Sequence, residues 1–364
     1  MSAQSPPAHT PRTAFLARRR RALLLSCAVG AASLLMARPA PAPGQAINGT
    51  YTPVAGNLTR TTGPNTETIT VSPTFNDSTT AIINWTANAP VTGTSWDFLP
   101  QGNTVTFQGA VGRDFAVLNR VLIPVPIEFN GRVVSQLQQA GGGTARGGTV
   151  IFTNAAGIVV GPTAVFDVGN LVLSTLSVTT TDESGYGPYF NPSDLSFTLG
   201  SGDPHATVET LAGAQINAPA DGSYFAMVAP RVVHGGTATV NGSTAYVAAE
   251  AVELRINNGL FDIIVGTGSD NPDPLTHTGT TGGPASTGAG DNQRIYMVAV
   301  PKNQAITALL SGNVGFDAAT DVTVENGEII LSAGYSVFGN VVATDSPPTG
   351  TPPPEANFFV RQGT

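Results

Sequence analysis

The stretch Gly147-Gly148-Thr149-Val150-Ile151-Phe152-Thr153-Asn154-Ala155-Ala156-Gly157-Ile158-Val159-Val160-Gly161-Pro162, continuing from 163 to 178 as TAVFDVGNLVLSTLSV, decides how the chain folds. Short β-branched runs alternate with single glycines, so each run has the length of one strand and each Gly marks a corner. The density of Gly and β-branched residues opposes a helix throughout.

Working outward, the composition agrees. The chain has 364 residues with 42 Gly and 28 Pro, only 11% charged and 41% apolar residues. That suits many tight turns and a continuous core more than long helices, and the expected class is all-β. The net charge of −8 hides an asymmetry. Residues 1–46 carry six Arg and no acid, which leaves 10 basic and 24 acidic side chains, 10 − 24 = −14, for the remainder. Such a surface repels phosphate backbones, so no nucleic-acid partner is expected. Cys27, the one cysteine, lies in the basic leader, so no disulfide can staple the rest.

An internal repeat points to a solenoid. Aligning Gly222–Val232 with Gly242–Val252 places Met227 over Val247 and Val232 over Val252, an offset of 20, and Gly148 begins a third copy in which Ile158 takes the place of Val232. Asx-Gly pairs recur before apolar runs at Asn130-Gly131, Asp221-Gly222, Asn241-Gly242 and Asn326-Gly327, where corners of positive φ are expected. A period near 20 without a leucine-rich pattern predicts a single-stranded, right-handed parallel β-helix with N-terminal capping strands and loop excursions. The rival is a β-sandwich, which would show hairpin dipeptides and no superposable offset.

The chain divides accordingly. Residues 1–46 read as a signal peptide: Arg18–Arg21, an apolar run from Ala22 to Met36, and small residues before a cleavage point after Ala46. The Sec translocon and signal peptidase are the implied partners. Residues 47–265 form the main β-helix, with a polar excursion from Thr179 to Pro204. Gly266 to Asn292, rich in Gly, Thr and Asp, is expected to be a long loop, residues 293–343 further coils, and 344–364 a Pro-rich tail leading to further sequence.

Asn154-Ala155-Ala156-Gly157-Ile158 with Val168–Thr175, and Trp85, Gly102–Phe107 and Phe115–Val121 before them, resemble in order and spacing the secretion domain of the filamentous haemagglutinin family. The family comprises large bacterial adhesins exported by two-partner secretion. Its central turn commonly reads Asn-Pro-Asn-Gly-Ile; here two alanines replace the Pro and second Asn. The resemblance implies that Asn154, Gly157, Ile158, Asn119 and Arg120 serve secretion and recognition by an outer-membrane transporter. It also implies a secreted or cell-surface adhesin that passes through the periplasm, folds outside, and meets host or neighbouring-cell surfaces. From the residues themselves, Asn154 can hold the corner, Gly157 can take a positive φ, and Ile158 can fill the interior.

Enzymatic signatures are thin. His205, His234 and His277 are scattered, with His234 expected at an exposed turn beside Gly235-Gly236; no nucleophile elbow, P-loop or zinc-protease motif occurs. Asp182, Glu183 and Asp262 are the candidate acids for an alternative reading as a polysaccharide lyase or hydrolase. Asp270, Asp273 and Asp291 lack a regular calcium-binding spacing. The expectation is a non-enzyme with no metal and no cofactor; a structural surface or matrix protein is a further alternative.

Overall fold

The computed structural model describes residues 45–315 apart from 75–76, 184–186, 258, 285–292 and 304–305, and beyond these the backbone of short strands between 321 and 361. All but the last two residues of the leader, and most of the Pro-rich tail, lie outside the described residues.

Strands stack in register on three faces. On the first, Thr80–Thr86, Ala116–Val121, Thr149–Thr153, Asn170–Ser174, the later halves of Gln215–Ala229 and Thr237–Ala248, and Arg294–Ala299 all pair in parallel. The second runs in parallel from Thr66–Ser72 through Thr104–Gly109, Arg132–Gln138 and Val165–Asp167 to Asn313–Val314. The third runs from Trp96–Leu99 through Ile127–Phe129, Ile158–Val160, Thr207–Thr210, Arg231–His234 and Leu275–His277 to Ala308–Leu310. The chain visits the faces in turn and adds one rung per circuit, which makes a parallel β-helix. Hydrogen bonds between non-adjacent segments then replace the hairpins a sandwich would need.

Alternation on the first face separates two cores. Ile83, Phe152, Leu173, Met227 and Tyr246 point inside with Asn119, while Leu118, Ile151, Val172, Ala226 and Ala245 point outward. Inside, aromatic rings touch in a series from Tyr51 through Trp85 and Phe98 to Phe129, which meets both Phe152 and Phe166, at centroid separations of 4.9–5.7 Å, edge to face except for the tilted Phe129–Phe166 pair. The outward row is covered by a four-stranded antiparallel sheet of Ser177–Val178, Asp194–Thr198, Ala251–Asn257 and Leu260–Thr267, whose Leu195, Phe197, Val252, Leu254 and Phe261 complete the second core. The expected excursion after Thr179 therefore returns as a lid on the solenoid.

The N-terminal end is capped as expected. Thr50–Ala55 and Asn57–Gly63 pair antiparallel with the first strands of two faces. Arg60 lies over the rings of Tyr51 and Trp85, at 4.9 and 5.9 Å, and its Nε donates to the buried Glu67 carboxylate at 2.7 Å.

Four sequence expectations are corrected. Met227 pairs with Tyr246 and Val247 with Val228, an offset of 19; Ser223, not Gly222, lies opposite Gly242 because the register shifts between Ala218 and Ser223. A slip of one residue exchanges the faces of a strand, so Tyr246 is inside and Val247 outside. Val252 belongs to the outer sheet, whereas Ile158 and Val232 do share a column through Val208. The region 266–292 is also no simple loop: Leu275–His277 and Thr280–Gly282 each add a strand to the stack, and only 285–292 lie outside the described residues. Beyond Val314 the strands Asp321–Glu325, Glu328–Ser332 and Phe358–Arg361 pair antiparallel, as do Ser336–Phe338 and Val341–Ala343, so among the described residues the parallel coils expected to 343 end at Val314. Lastly, among the Asx-Gly corners Gly222 has a φ of 70°, but Gly242 is small for another reason: a Cβ there would lie 2.0 Å from the Ser223 carbonyl oxygen.

Candidate functional site

The strands Ala116–Val121 and Thr149–Thr153 lie side by side, with Asn119 opposite Phe152 and Arg120 opposite Thr153. The chain leaves the second strand at Asn154, turns, and enters Ile158–Val160. Asn154 is 1% exposed, and its amide is fully used. Its Nδ2 donates to the carbonyls of Val121 and Ile123 at 3.0 and 2.8 Å, and its Oδ1 accepts from the backbone N–H groups of Ala156 and Gly157, both at 3.0 Å. One side chain therefore both closes its own turn and fastens it to the rung below.

Gly157 completes the turn with a φ of 137°, which side chains on L residues rarely tolerate, and a Cβ there would lie 3.2 Å from Pro126 and 3.3 Å from the Thr207 carbonyl oxygen. Ile158 is fully buried in the column Ile127, Ile158, Val208, Val232, Leu275. Asn119, also fully buried, accepts from the Trp85 indole N–H at 3.0 Å and donates to the Ile151 carbonyl at 3.2 Å. That bond lets a polar Trp edge and an Asn sit in an aromatic core without an orphaned group. The Arg120 guanidinium donates to Thr180 Oγ1 at 3.0 Å, tying the corner to the root of the outer excursion, and partial burial lowers its pKa.

The five residues thus lie at or within a few positions of one corner of two adjacent rungs, Asn119 and Arg120 on the strand beside the one that leads into it and Ile158 on the strand that leaves it. Four are buried, and Arg120 is half-buried; the outer surface of the turn is made by Ala155, exposed, and Ala156. Ala46 lies apart from them in the cap, fully buried, its carbonyl accepting from Asn103 Nδ2 at 2.8 Å; the next residue, Ile47, presents its N–H to Glu67 Oε2 at 3.4 Å.

The candidate acids do not share a face. Asp182 sits on the hairpin Thr181–Glu183 with Gly187–Tyr189, and Asp262 on the outer sheet beside Arg255. Asp270 accepts from Asn303 at 3.3 Å, Asp273 offers its backbone carbonyl to Arg231, and Asp291 lies outside the described residues. Among the described residues no group of three or more His, Cys, Asp or Glu is placed to hold a metal ion.

Sequence reasoning missed two features. Asn271 repeats the fastening half of the Asn154 device at a later corner, its Nδ2 donating to the Pro204 and Pro230 carbonyls at 2.8 and 3.3 Å, while its Oδ1 faces His205 Nδ1 at 3.2 Å; an Asn ahead of an interior apolar residue is the one signal the sequence offers. His234 is no exposed turn residue: it and His277 are fully buried inside the helix. Their spacing of 43 positions hides that they are neighbours in register on adjacent rungs.

These features define an all-β solenoid whose capped early rungs are held by a buried asparagine corner and shielded by an antiparallel lid. No protein-family model matches the chain, and no curated protein sequence matches it. Among solved structures it is similar to the crystal structure of the HMW1 secretion domain from Haemophilus influenzae, at 18% identity and a TM-score of 0.48, over 68% of this chain and 56% of that one.

Proposed function

We propose that the chain is the secretion module of an exported, non-catalytic exoprotein of the adhesin type, handed from the Sec route to an outer-membrane transporter and folding outside the cell. The observation that carries this reading is the convergence, on one corner, of the residues that resemble the secretion motif. In the folded protein Asn154, Gly157, Ile158 and Asn119 have no surface to offer a partner. A transporter that reads those side chains must therefore read them before the rungs close, and one that reads the folded corner must touch Ala155, Ala156 or Arg120. Once outside, each new rung pairs with the one before it, so folding can draw the chain outward by nearest-neighbour stabilisation alone. The separate placement of Asp182 and Asp262 supports the non-catalytic part. Among the described residues no helix is long and apolar enough to cross a membrane.

The test is co-expression with a two-partner outer-membrane transporter in a Gram-negative host. The wild-type chain is expected in the medium only when the transporter is present. Equal release without it would overturn the reading, and retention in the periplasm in both cases would remove the transporter as partner.

A further inference from the structure

The interior changes character halfway along. The early rungs are filled by aromatic and aliphatic side chains, but the later ones hold a polar cluster. His234 ends the strand Arg231–His234 and lies between Thr210 and His277 on neighbouring rungs. The imidazole centroids are 5.1 Å apart, and Tyr246 packs on both, at 5.0 and 5.7 Å.

The hydrogen bonds fix where the protons are. His234 Nε2 faces the Thr280 backbone carbonyl at 3.2 Å, which can only accept, so this nitrogen carries the hydrogen and Nδ1 accepts from Thr210 Oγ1 at 2.8 Å. His277 Nδ1 faces the Ser311 carbonyl at 2.8 Å and must donate; its Nε2 accepts from Thr281 Oγ1 at 2.9 Å, whose oxygen in turn accepts from the Tyr246 hydroxyl at 2.6 Å. Thr210 Oγ1 already accepts from the Gly236 N–H at 3.3 Å. Each neutral ring thus donates once and accepts once, and every partner is satisfied.

A second proton on either ring breaks this pattern. The threonine hydroxyl that had donated must accept, and its own hydrogen then points at another donor or at nothing. Around the rings stand Thr210 from Thr207–Thr210, Tyr246 from Thr237–Ala248, Thr280 and Thr281 from Thr280–Gly282, and Ser311 after Ala308–Leu310. Tyr246 is the one titratable group among them, and burial pushes its ionisation up, so it supplies no negative charge. Glu209 and Arg231 alternate to the outer side of their strands. A protonated pair would be two cations one ring apart in the interior, with no counter-ion beside them among the described residues.

We propose that His234 and His277 form an acid-sensitive latch: neutral, they hold the late rungs of the solenoid together, and on protonation they release those rungs while the aromatic early rungs stay stacked.

Burial holds the His234 imidazole down to about 4, the charge of His277 acting in the same direction against the Thr280 bond, and burial also lowers His277. The folded pKa lies below the unfolded value of 6.5, so the open form binds more protons. The latch is therefore at full strength above pH 6.5 and weakens as pH falls towards 4. From His234 alone, opening becomes about 30-fold more favourable at pH 5 than at pH 8.

Hydrogen exchange on the full chain, corrected for intrinsic rates, tests this. Peptides covering 231–248 and 275–282 are expected to lose about 30-fold or more in protection between pH 8 and pH 5, while 80–86 and 116–121 keep theirs. Equal loss in both sets, or none in the late set, would overturn the latch. The double variant His234→Gln/His277→Asn, which keeps one donor and one acceptor at each place without a titrating ring, should flatten the pH dependence of the late peptides. Because that variant can fail to fold, nitrogen-detected NMR of the wild-type imidazoles gives an independent reading. Folded rings that stay neutral at pH 5.5 support the latch, and folded rings that titrate near 6.5 refute it.

Discussion

Replacing Asn154 with Ala removes four hydrogen bonds at once, two donated to the carbonyls of Val121 and Ile123 and two accepted from Ala156 and Gly157. The site is 1% exposed, so water does not take over these partners without opening the corner. At about 1 kcal/mol net for each bond lost, and more where a buried group is orphaned, the expected destabilisation is about 4 kcal/mol. Asn154→Asp keeps both accepted bonds but sets a carboxylate oxygen against two carbonyls, and is expected to be at least as harmful at neutral pH. The chain's two tryptophans, Trp85 and Trp96, are both buried in the early rungs, so urea unfolding followed by tryptophan fluorescence reports on this part of the stack. The exposed neighbour supplies the control: Ala155→Arg should change the unfolding free energy by less than about 0.5 kcal/mol. If Asn154→Ala costs under about 1 kcal/mol with an unchanged denaturant slope, the corner is not held as described. Secretion then separates the roles. A transporter that contacts the folded turn will reject Ala155→Arg, whereas one that needs only a foldable chain will export it normally.

Gly157→Val is expected to leave the chain in the periplasm, because the residue must adopt a φ of 137° against Pro126; wild-type amounts in the medium would count against it. Asn119→Leu strips the Trp85 indole of its acceptor in a closed core and should cost about 2 kcal/mol, with a change in the near-ultraviolet circular dichroism of the tryptophans; a silent spectrum would contradict the bond. Glu67→Gln leaves Arg60 over the cap rings without its carboxylate, and a loss of about 2 kcal/mol is expected after discounting for the partial exposure of Arg60. Mass spectrometry of the secreted chain should find Ile47 as its first residue, which removes the Ala46 carbonyl from Asn103 and sets a new amino group beside Glu67; a terminus before Ala46 would keep the Asn103 bond and remove the amino group from Glu67.

Much of the fold can be read from composition and local pattern, because strand length, corner position and inside-outside alternation are short-range properties. The runs around Ile158 and Val232 fall in one column as their spacing suggests, and the polar stretch after Thr179 does leave the coil. The register between Met227 and Tyr246 is not legible: the letters match at Gly222 and Gly242, whereas an irregularity between Ala218 and Ser223 takes the pairing from an offset of 22 to one of 19, one short of the letter match. The stretch after Gly266 has the composition of a loop for a related reason. Thr and Gly on a solenoid rung look like loop residues until the neighbouring rungs supply their hydrogen bonds.

By itself the sequence determined that this chain turns often, hides its β-branched residues from water and closes one corner with Asn154, since those choices depend on side chains a few positions apart. Tertiary structure alone decided which residues share an interior column. It put Asn119 against Trp85 and His234 against His277, and it turned two polar-flanked excursions into the sheet that covers Leu118, Ile151 and Val172. The two side-chain pairings join positions 34 and 43 residues apart, and in a solenoid that distance is set by how much chain loops out between rungs, which no local pattern records.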